Sequence, residues 1–496
     1  MNKIILSIAF LCATVFGLSQ TQGVAFPTVG KGVATPFVTD YHCLGINVSG
    51  LGWGTGFEGK RFTTGMTEFS FGLYSDSLTS DKLKNLSRAL YQQATNKDET
   101  PFDYQKQLDA AAMYAQAGIA VNVDYNWGGF AFQSAKFGGI AFNVRENYQW
   151  YSRLNDQTTD IIFRGKLSNY FDSLTVVFGT DTTQIANSAS LSQDTLAAVI
   201  QGSISVPLKI SQLTDGSNIR LVWNRSYNLG YGRKLFGRDS VFVVYGGIGG
   251  RLIQSMAMFD MESRDGELTM YTSLTPAFNI DYGNIAGSNV LGTNDGFFPK
   301  AVGNGYGIDL AASVEFFSKL RLAVAVNNIG SVTYTRNVYK VQDSIFGSFS
   351  LNGLDNANIT NSVNSLLRDG GILNLVGQEK YVLRNAADIR FGAAFTPWKF
   401  LRLGLDVVAP FNNETPGSIQ NAVYSFGAEI RPVKWLALNA GYFGGGIYRS
   451  NIPVGITFML RGGAYECGIA SRDAISFFTN KGHSVSTAFG FARFRF

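Results

Sequence analysis

Apolar and polar residues alternate along several stretches of the chain, and these stretches come in pairs. Over residues 308–316, Ile308, Leu310, Ala312, Val314 and Phe316 share one face, and Asp309, Ala311, Ser313 and Glu315 share the other. A period of two is that of a β-strand, whose successive side chains point to opposite faces. Ser318-Lys319 turns the chain, and the return puts Leu320, Leu322, Val324 and Val326 on the apolar face with Arg321, Ala323, Ala325 and Asn327 opposite. The unit recurs. Ile389, Phe391, Ala393 and Phe395 alternate with Asp388, Arg390 and Gly392, and Pro397-Trp398 leads into Leu401, Leu403, Leu405 and Val407, interleaved with Arg402, Gly404 and Asp406. Tyr424, Phe426, Ala428 and Ile430 alternate with Ser425, Gly427, Glu429 and Arg431, and Pro432-Val433-Lys434-Trp435 leads into Leu436, Leu438, Ala440 and Tyr442. Proline has no N–H for a ladder, so it belongs in such turns. Trp398 and Trp435 either mark a membrane interface or are simply packed.

An alternating apolar face fits the core of a soluble sandwich or the lipid side of a membrane barrel. The chain ends favour the barrel. The last strand, Ser486 to Phe496, ends with Phe494 and Phe496 alternating with Arg493 and Arg495, and a terminal strand left as a bare edge would invite pairing with other chains, so closure is expected. At the other end, Lys3 precedes an apolar run over residues 4–16, and Gly17-Leu18-Ser19 offers a cleavage site, so residues 1–19 read as a secretory signal. That run is too short to span a bilayer as a helix, which needs about 20 residues. Cys12 follows Leu11 rather than a small residue, so no lipid anchor is expected.

Composition agrees. Gly 56, Phe 39 and Tyr 22, with only 16% charged residues, describe a strand-rich chain, and a mean hydropathy of +0.04 is too low for a helical membrane protein. A barrel tolerates this because only one face of each strand meets lipid. The net charge of +5 has no concentrated basic tract, so nucleic acid is not an expected partner. Beyond the signal only Cys43 and Cys467 remain, too few for a disulfide scaffold. On the strand after Gly463, Glu466, Gly468, Ala470 and Arg472 face the lumen and Tyr465, Cys467 and Ile469 face lipid, so a Cys43 held inside the barrel is expected to stay unpaired with Cys467.

Short turns at 234–239, 318–319, 397–398, 432–434 and 462–463 fall on one side, expected to be periplasmic. The long connections at 76–115, 152–217, 263–304 and 333–384 fall on the other. Counting strands this way predicts an all-β transmembrane antiparallel barrel of about fourteen strands, the first three near 62–75, 116–127 and 130–151. Residues 81–92 and 104–116 have helical periodicity, either covering the barrel mouth or serving as structural loop helices.

Chemistry is sparse. His42 and His483 have no spaced partners for a metal or a charge relay, so no catalytic, metal or cofactor site is expected, and the chain does not read as an enzyme. The glycine runs at 246–250 and 444–446 suggest close strand packing or a kink. Asp309, Glu315, Arg321, Arg390, Arg402, Asp406, Glu429 and Arg431 all fall on the polar faces, and a ladder of opposite charges across the barrel interior accounts for them.

Two sets of residues carry a family resemblance. The ending with Phe494 and Phe496 resembles the terminal strand of bacterial outer-membrane barrels, which implies that these residues form a signal for the barrel assembly machinery. Gly30-Lys31-Gly32-Val33-Ala34, Asp40 and Asn47-Val48-Ser49-Gly50-Leu51 resemble the N-terminal signature of the FadL-type transporter superfamily, with Val48 and Ser49 in place of Pro and Ala. Tyr227 to Gly232, a strand end at Asn327-Asn328-Ile329-Gly330, and Tyr465 to Ile469 with Arg472-Asp473 resemble FadL-like barrels of Bacteroidota, a group that includes the PorV-like shuttle of type IX secretion. The resemblance implies a hatch folded into the lumen, with Asp40, Asn47, Gly50 and Leu51 as its motif. Residues 20–60 would form the hatch and 61–496 the barrel. Leu44, Ile46, Leu51, Trp53 and Phe57 independently argue against a flexible linker there, because a linker has no reason to carry so much apolar surface.

Two functions follow. One is passive uptake or binding of a hydrophobic small molecule. The other is a non-transporting barrel that partners or shuttles proteins in secretion or surface assembly. Both place the chain in the outer membrane, with lipid and lipopolysaccharide around it and either a hydrophobic ligand or a secretion-system component as partner.

Overall fold

The computed structural model describes residues 25–75, 112, 114, 117–238, 241–280, 282, 285, 287–292, 296, 298–351, 373–411, 415–419, 421–446, 448–475 and 483–496. The expected signal segment 1–19, Cys12 and the predicted helices at 81–92 and 104–116 lie outside the described residues, apart from positions 112 and 114.

Fourteen antiparallel strands form one closed wall. They are β1 (Phe62–Ser75), β2 (Ile119–Ser134), β3 (Gly138–Arg153), β4 (Asn218–Arg238), β5 (Phe242–Arg264), β6 (Gly303–Phe316) and β7 (Leu320–Tyr334). Then come β8 (Asp388–Trp398), β9 (Leu401–Pro410), β10 (Val423–Val433), β11 (Leu436–Gly445), β12 (Val454–Leu460), β13 (Tyr465–Ser471) and β14 (Ser484–Arg495). Each strand pairs with the next, and β14 returns to β1 through Thr63↔Arg495 to Tyr74↔Ser484. Closure removes the free edge that the terminal strand would otherwise present.

The choice between sandwich and barrel is decided by which face is buried. Ile308, Leu310, Leu322, Phe391, Leu405 and Phe426 are exposed, whereas Asp309, Arg390, Asp406 and Glu429 on the same strands are buried. Apolar out and charged in is the arrangement of a barrel whose solvent is lipid. Trp398 and Trp435 are exposed at the turn end, as an interfacial position requires.

Two strand boundaries differ from the pattern-based reading. The second and third strands turn at residues 134–138, not between 127 and 130, and Trp127-Gly128-Gly129 lies inside β2. The ladder to β3 shifts register there, between Asn126 and Gly128, and this bulge breaks the alternation as a turn would. Asn327-Asn328 is likewise no strand end. It is a bulge within β7, with Asn328 at φ 62° and its N–H donating to Asp309 Oδ1 at 2.8 Å.

A strand needs about 9–11 residues to cross a bilayer. At 21 and 23 residues, β4 and β5 continue well beyond that. The connections expected over 152–217 and 333–384 are not plain loops. They supply a separate four-stranded sheet ordered Ile345–Phe349, Val199–Lys209, Ser173–Phe178, Asp181–Ala186. Its apolar side packs Leu167, Leu174, Val176, Leu196 and Val199 together.

Candidate functional site: the luminal hatch and the wall beside it

Residues 25–57 run inside the barrel as a helical turn at Phe26–Val29 and two 3-10 turns at Asp40–Cys43 and Val48–Trp53. The four motif residues are all buried. Asn47 holds the fold of the segment: its Nδ2 donates to Thr35 O at 2.7 Å, and its Oδ1 accepts from Ser49 N at 3.2 Å and Ser49 Oγ at 2.7 Å. Gly50 lies where a Cβ would come within 2.3 Å of Val38 O. Leu51 packs with Leu44, Ile46 and Val48 in one cluster. Asp40 is ion-paired with Arg493 and lies 3.8 Å from Arg495. Phe494 and Phe496 are elsewhere, exposed at the turn end, with the Phe496 ring 6.4 Å from that of Phe62.

Of the glycines expected to mark strand packing or a kink, Gly445 and Gly446 bend the chain at φ 93° and 64° against Ala422 and Val423, whereas Gly247 receives the hatch, as does Gly427 on another strand. A Cβ on Gly247 would lie 2.5 Å from the Val48 carbonyl carbon, and one on Gly427 would lie 2.1 Å from Lys31 O. Side chains at these positions would push the hatch off the wall.

Luminal charges pair along strands, across strands and with the hatch, on the face that the alternation sends inward. Arg390 Nε donates to Asp388 Oδ1 at 2.8 Å, and Asp406 accepts from the backbone of Ala34 and Thr35 at 3.0 and 2.9 Å. Lys31 reaches Glu429, and Arg493 bridges Asp40 and Glu466. Glu68, absent from the motif, accepts from Tyr41 Oη at 2.7 Å and Asn126 Nδ2 at 2.8 Å, and lies 3.0 Å from His42 Nε2. Strand parity was the signal for Arg493, which alternates with Phe494 and Phe496. Nothing local marks Glu68, and Lys31 lies within the N-terminal signature with no sign of its partner. Burial pushes the Lys31 ammonium below its ordinary range, opposed by Glu429.

Outside the wall, beside β1 to β3, lies a mostly apolar recess of about 560 Å³ lined by Met66, Trp127, Phe130, Phe142, Val144 and Phe298, with Arg225 its one charged side chain among the described residues. Its floor includes Gly65, Gly128 and Gly129. Directly behind that floor is the hatch, since a Cβ on Gly65 would fall 2.0 Å from Tyr41 Oη. The wall is also irregular here. Thr67 has φ 57°, the β1–β14 pairing skips from Met66↔Ala492 to Phe69↔Phe489, and β2 bulges at Trp127. Trp127 Nε1 donates to Glu146 Oε2 at 2.8 Å, and its ring meets Phe298 edge-on at 5.9 Å.

Among the described residues, no group of three or more His, Cys, Asp or Glu side chains is placed to hold a metal ion. Cys43 and Cys467 are both free thiols. Cys43 is held inside, its Sγ 3.3 Å from Val38 O, and burial raises its pKa well above the ordinary thiol range. Without reductant, Cys43 should therefore resist alkylation in the folded barrel, and denaturation should expose two reactive thiols per mature chain, which lacks Cys12. Mass spectrometry finding a quantitative Cys43 to Cys467 bridge would contradict this placement.

A model of a family of unknown function, DUF5723, matches residues 169–463, more than half of the chain. No curated protein matches. Among solved structures, the chain is similar to the Pseudomonas putida toluene transporter TodX, with 10% identity, 97% of this chain and 99% of that chain covered, and a TM-score of 0.38. It is also similar to the Ralstonia pickettii toluene transporter TbuX, with 10% identity, 96% and 99% covered, and a TM-score of 0.41. A Pseudomonas aeruginosa FadL homologue has 10% identity, 97% of each chain covered, and a TM-score of 0.37.

Proposed function

For this chain, which belongs to the family of unknown function DUF5723, we propose passive uptake of a hydrophobic small molecule through an outer-membrane barrel plugged by its own N-terminal hatch. The observation that carries the reading is the recess over the glycine floor. It is mostly apolar, it opens on the side where lipid lies, and only a backbone-thin, incompletely paired wall separates it from Tyr41. A hydrophobic molecule entering it from lipid exchanges one apolar surrounding for another, so binding rests on close packing against Trp127, Phe130 and Phe298 rather than on escape from water. Passage inward then requires Tyr41 to move and the wall to part at Thr67. The Glu68 carboxylate, gripped by Tyr41 and Asn126, sits where hatch and wall meet and would hold that gate shut at rest.

A removable staple tests this. Met66 and Gly128 face each other across β1 and β2, so Met66→Cys with Gly128→Cys should form a disulfide over the recess floor. Cellular uptake of a fluorescent naphthylamine probe should fall about fivefold or more when the pair is oxidised and recover with reductant, as for a blocked gate. Unchanged uptake with the bridge fully formed would refute the route.

A further inference from the structure

At the turn end of the lumen, beneath the hatch, lies a chamber of about 270 Å³ whose charges do not balance. Its wall carries Lys31, Lys319, Arg321, Arg402 and Arg431 against Glu315 and Glu429, five cations to two carboxylates. Arg493 and Arg495 also line it, but Asp40 and Glu466 match them two for two.

The excess is concentrated at Glu429. This one carboxylate takes the Lys31 ammonium, Arg431 Nε at 2.7 Å and Arg402 Nη1 at 3.6 Å. Arg321 is committed to Glu315, with Nε donating at 2.9 Å, and its guanidinium stacks on Trp53 at 3.9 Å. The distance of 3.6 Å is too long for a hydrogen bond, so Arg402 has an ion-pair partner but, among the described residues, no hydrogen-bond acceptor. Lys31 and Glu429 are nearly fully buried, and Arg402 is 38% exposed, toward the chamber. Like charges gathered in a partly desolvated space repel one another unless an anion joins them. Two guanidinia with open donors match an oxyanion in geometry as well as charge.

We propose that this chamber binds a small oxyanion, a carboxylate or phosphate group held by Arg402 and Arg431 with Lys31 behind. Phe37, Trp53 and Phe57 line the same space and give the anion an apolar flank. The volume admits a small molecule and excludes a folded partner. This inference stands apart from the uptake reading, because it rests on Lys31, Arg402 and Arg431, none of which lines the recess.

The test uses the full-length barrel in detergent, with benzoate and inorganic phosphate titrated by calorimetry against chloride at constant ionic strength. Binding of benzoate, phosphate or both above the chloride background supports the site. Benzoate alone identifies an organic carboxylate, and phosphate alone an inorganic oxyanion. Arg402→Gln should weaken binding about tenfold and Arg402→Glu should abolish it, while Arg402→Lys retains most of it. Because Arg402 is partly exposed and makes no hydrogen bond, all three variants should keep the unboiled, compact gel species of the folded barrel. No response beyond chloride, or equal affinity in Arg402→Gln and Arg402→Glu, would overturn the proposal.

Discussion

Deleting residues 25–57 should leave a barrel that still assembles but conducts small solutes. The wall closes by strand pairing alone, β14 onto β1, and no ladder runs through the hatch. What the deletion removes is the filling: the cluster of Leu44, Ile46, Val48 and Leu51, and the partners of Glu429, Arg493 and Glu68. In a dry core such orphaned charges would be ruinous. In an emptied barrel water replaces the hatch and hydrates them, so the wall survives. Planar-bilayer recordings should show ion conductance absent from the intact protein, and cells should become sensitive to bulky antibiotics. An assembled but sealed barrel would mean that something other than the hatch closes the lumen.

Arg493→Met should detach the hatch without removing it. Arg493 is the cation shared by Asp40 of the hatch and Glu466 of β13, and all three side chains are almost fully buried. Arg495 remains for Glu466 at 2.7 Å but reaches Asp40 only at 3.8 Å. Breaking a buried pair from one side costs about 3–5 kcal/mol, because the partner is left charged and dry. That penalty is relieved by releasing the hatch into water. Trypsin should then cut at Lys31 in barrels whose strands remain protected, and permeability should rise toward that of the deletion. Adding Asp40→Asn and Glu466→Gln should restore much of the protection, since it neutralises the orphaned carboxylates. If Arg493→Met protects Lys31 as well as the parent does, the triad is not the tether.

Parts of this site were legible in the chain and parts were not, for identifiable reasons. Arg390, Arg402, Glu429 and Glu466 were assignable to the lumen because a period of two sends every second residue inward. Asp40, Asn47 and Gly50 stood out as a motif, and the structure buries all three. Trp127-Gly128-Gly129 misled, because a bulge interrupts the period as a turn does, and the recess depends on that same interruption. The four-stranded external sheet was invisible because its short strands show little alternation; Asp181–Ala186 is exposed along nearly all its length.

By itself, then, the order of residues determined strand parity, the side of each short turn and the need for closure, since all of these follow from local periodicity and the stiffness of the backbone. Tertiary structure alone decided the partners. Lys31 and Glu429 are 398 positions apart, and Asp40 and Arg493 are 453. No local preference specifies a contact over such separations. Such pairings arise only once the wall has closed around the hatch and each buried charge is left with the few neighbours that can neutralise it.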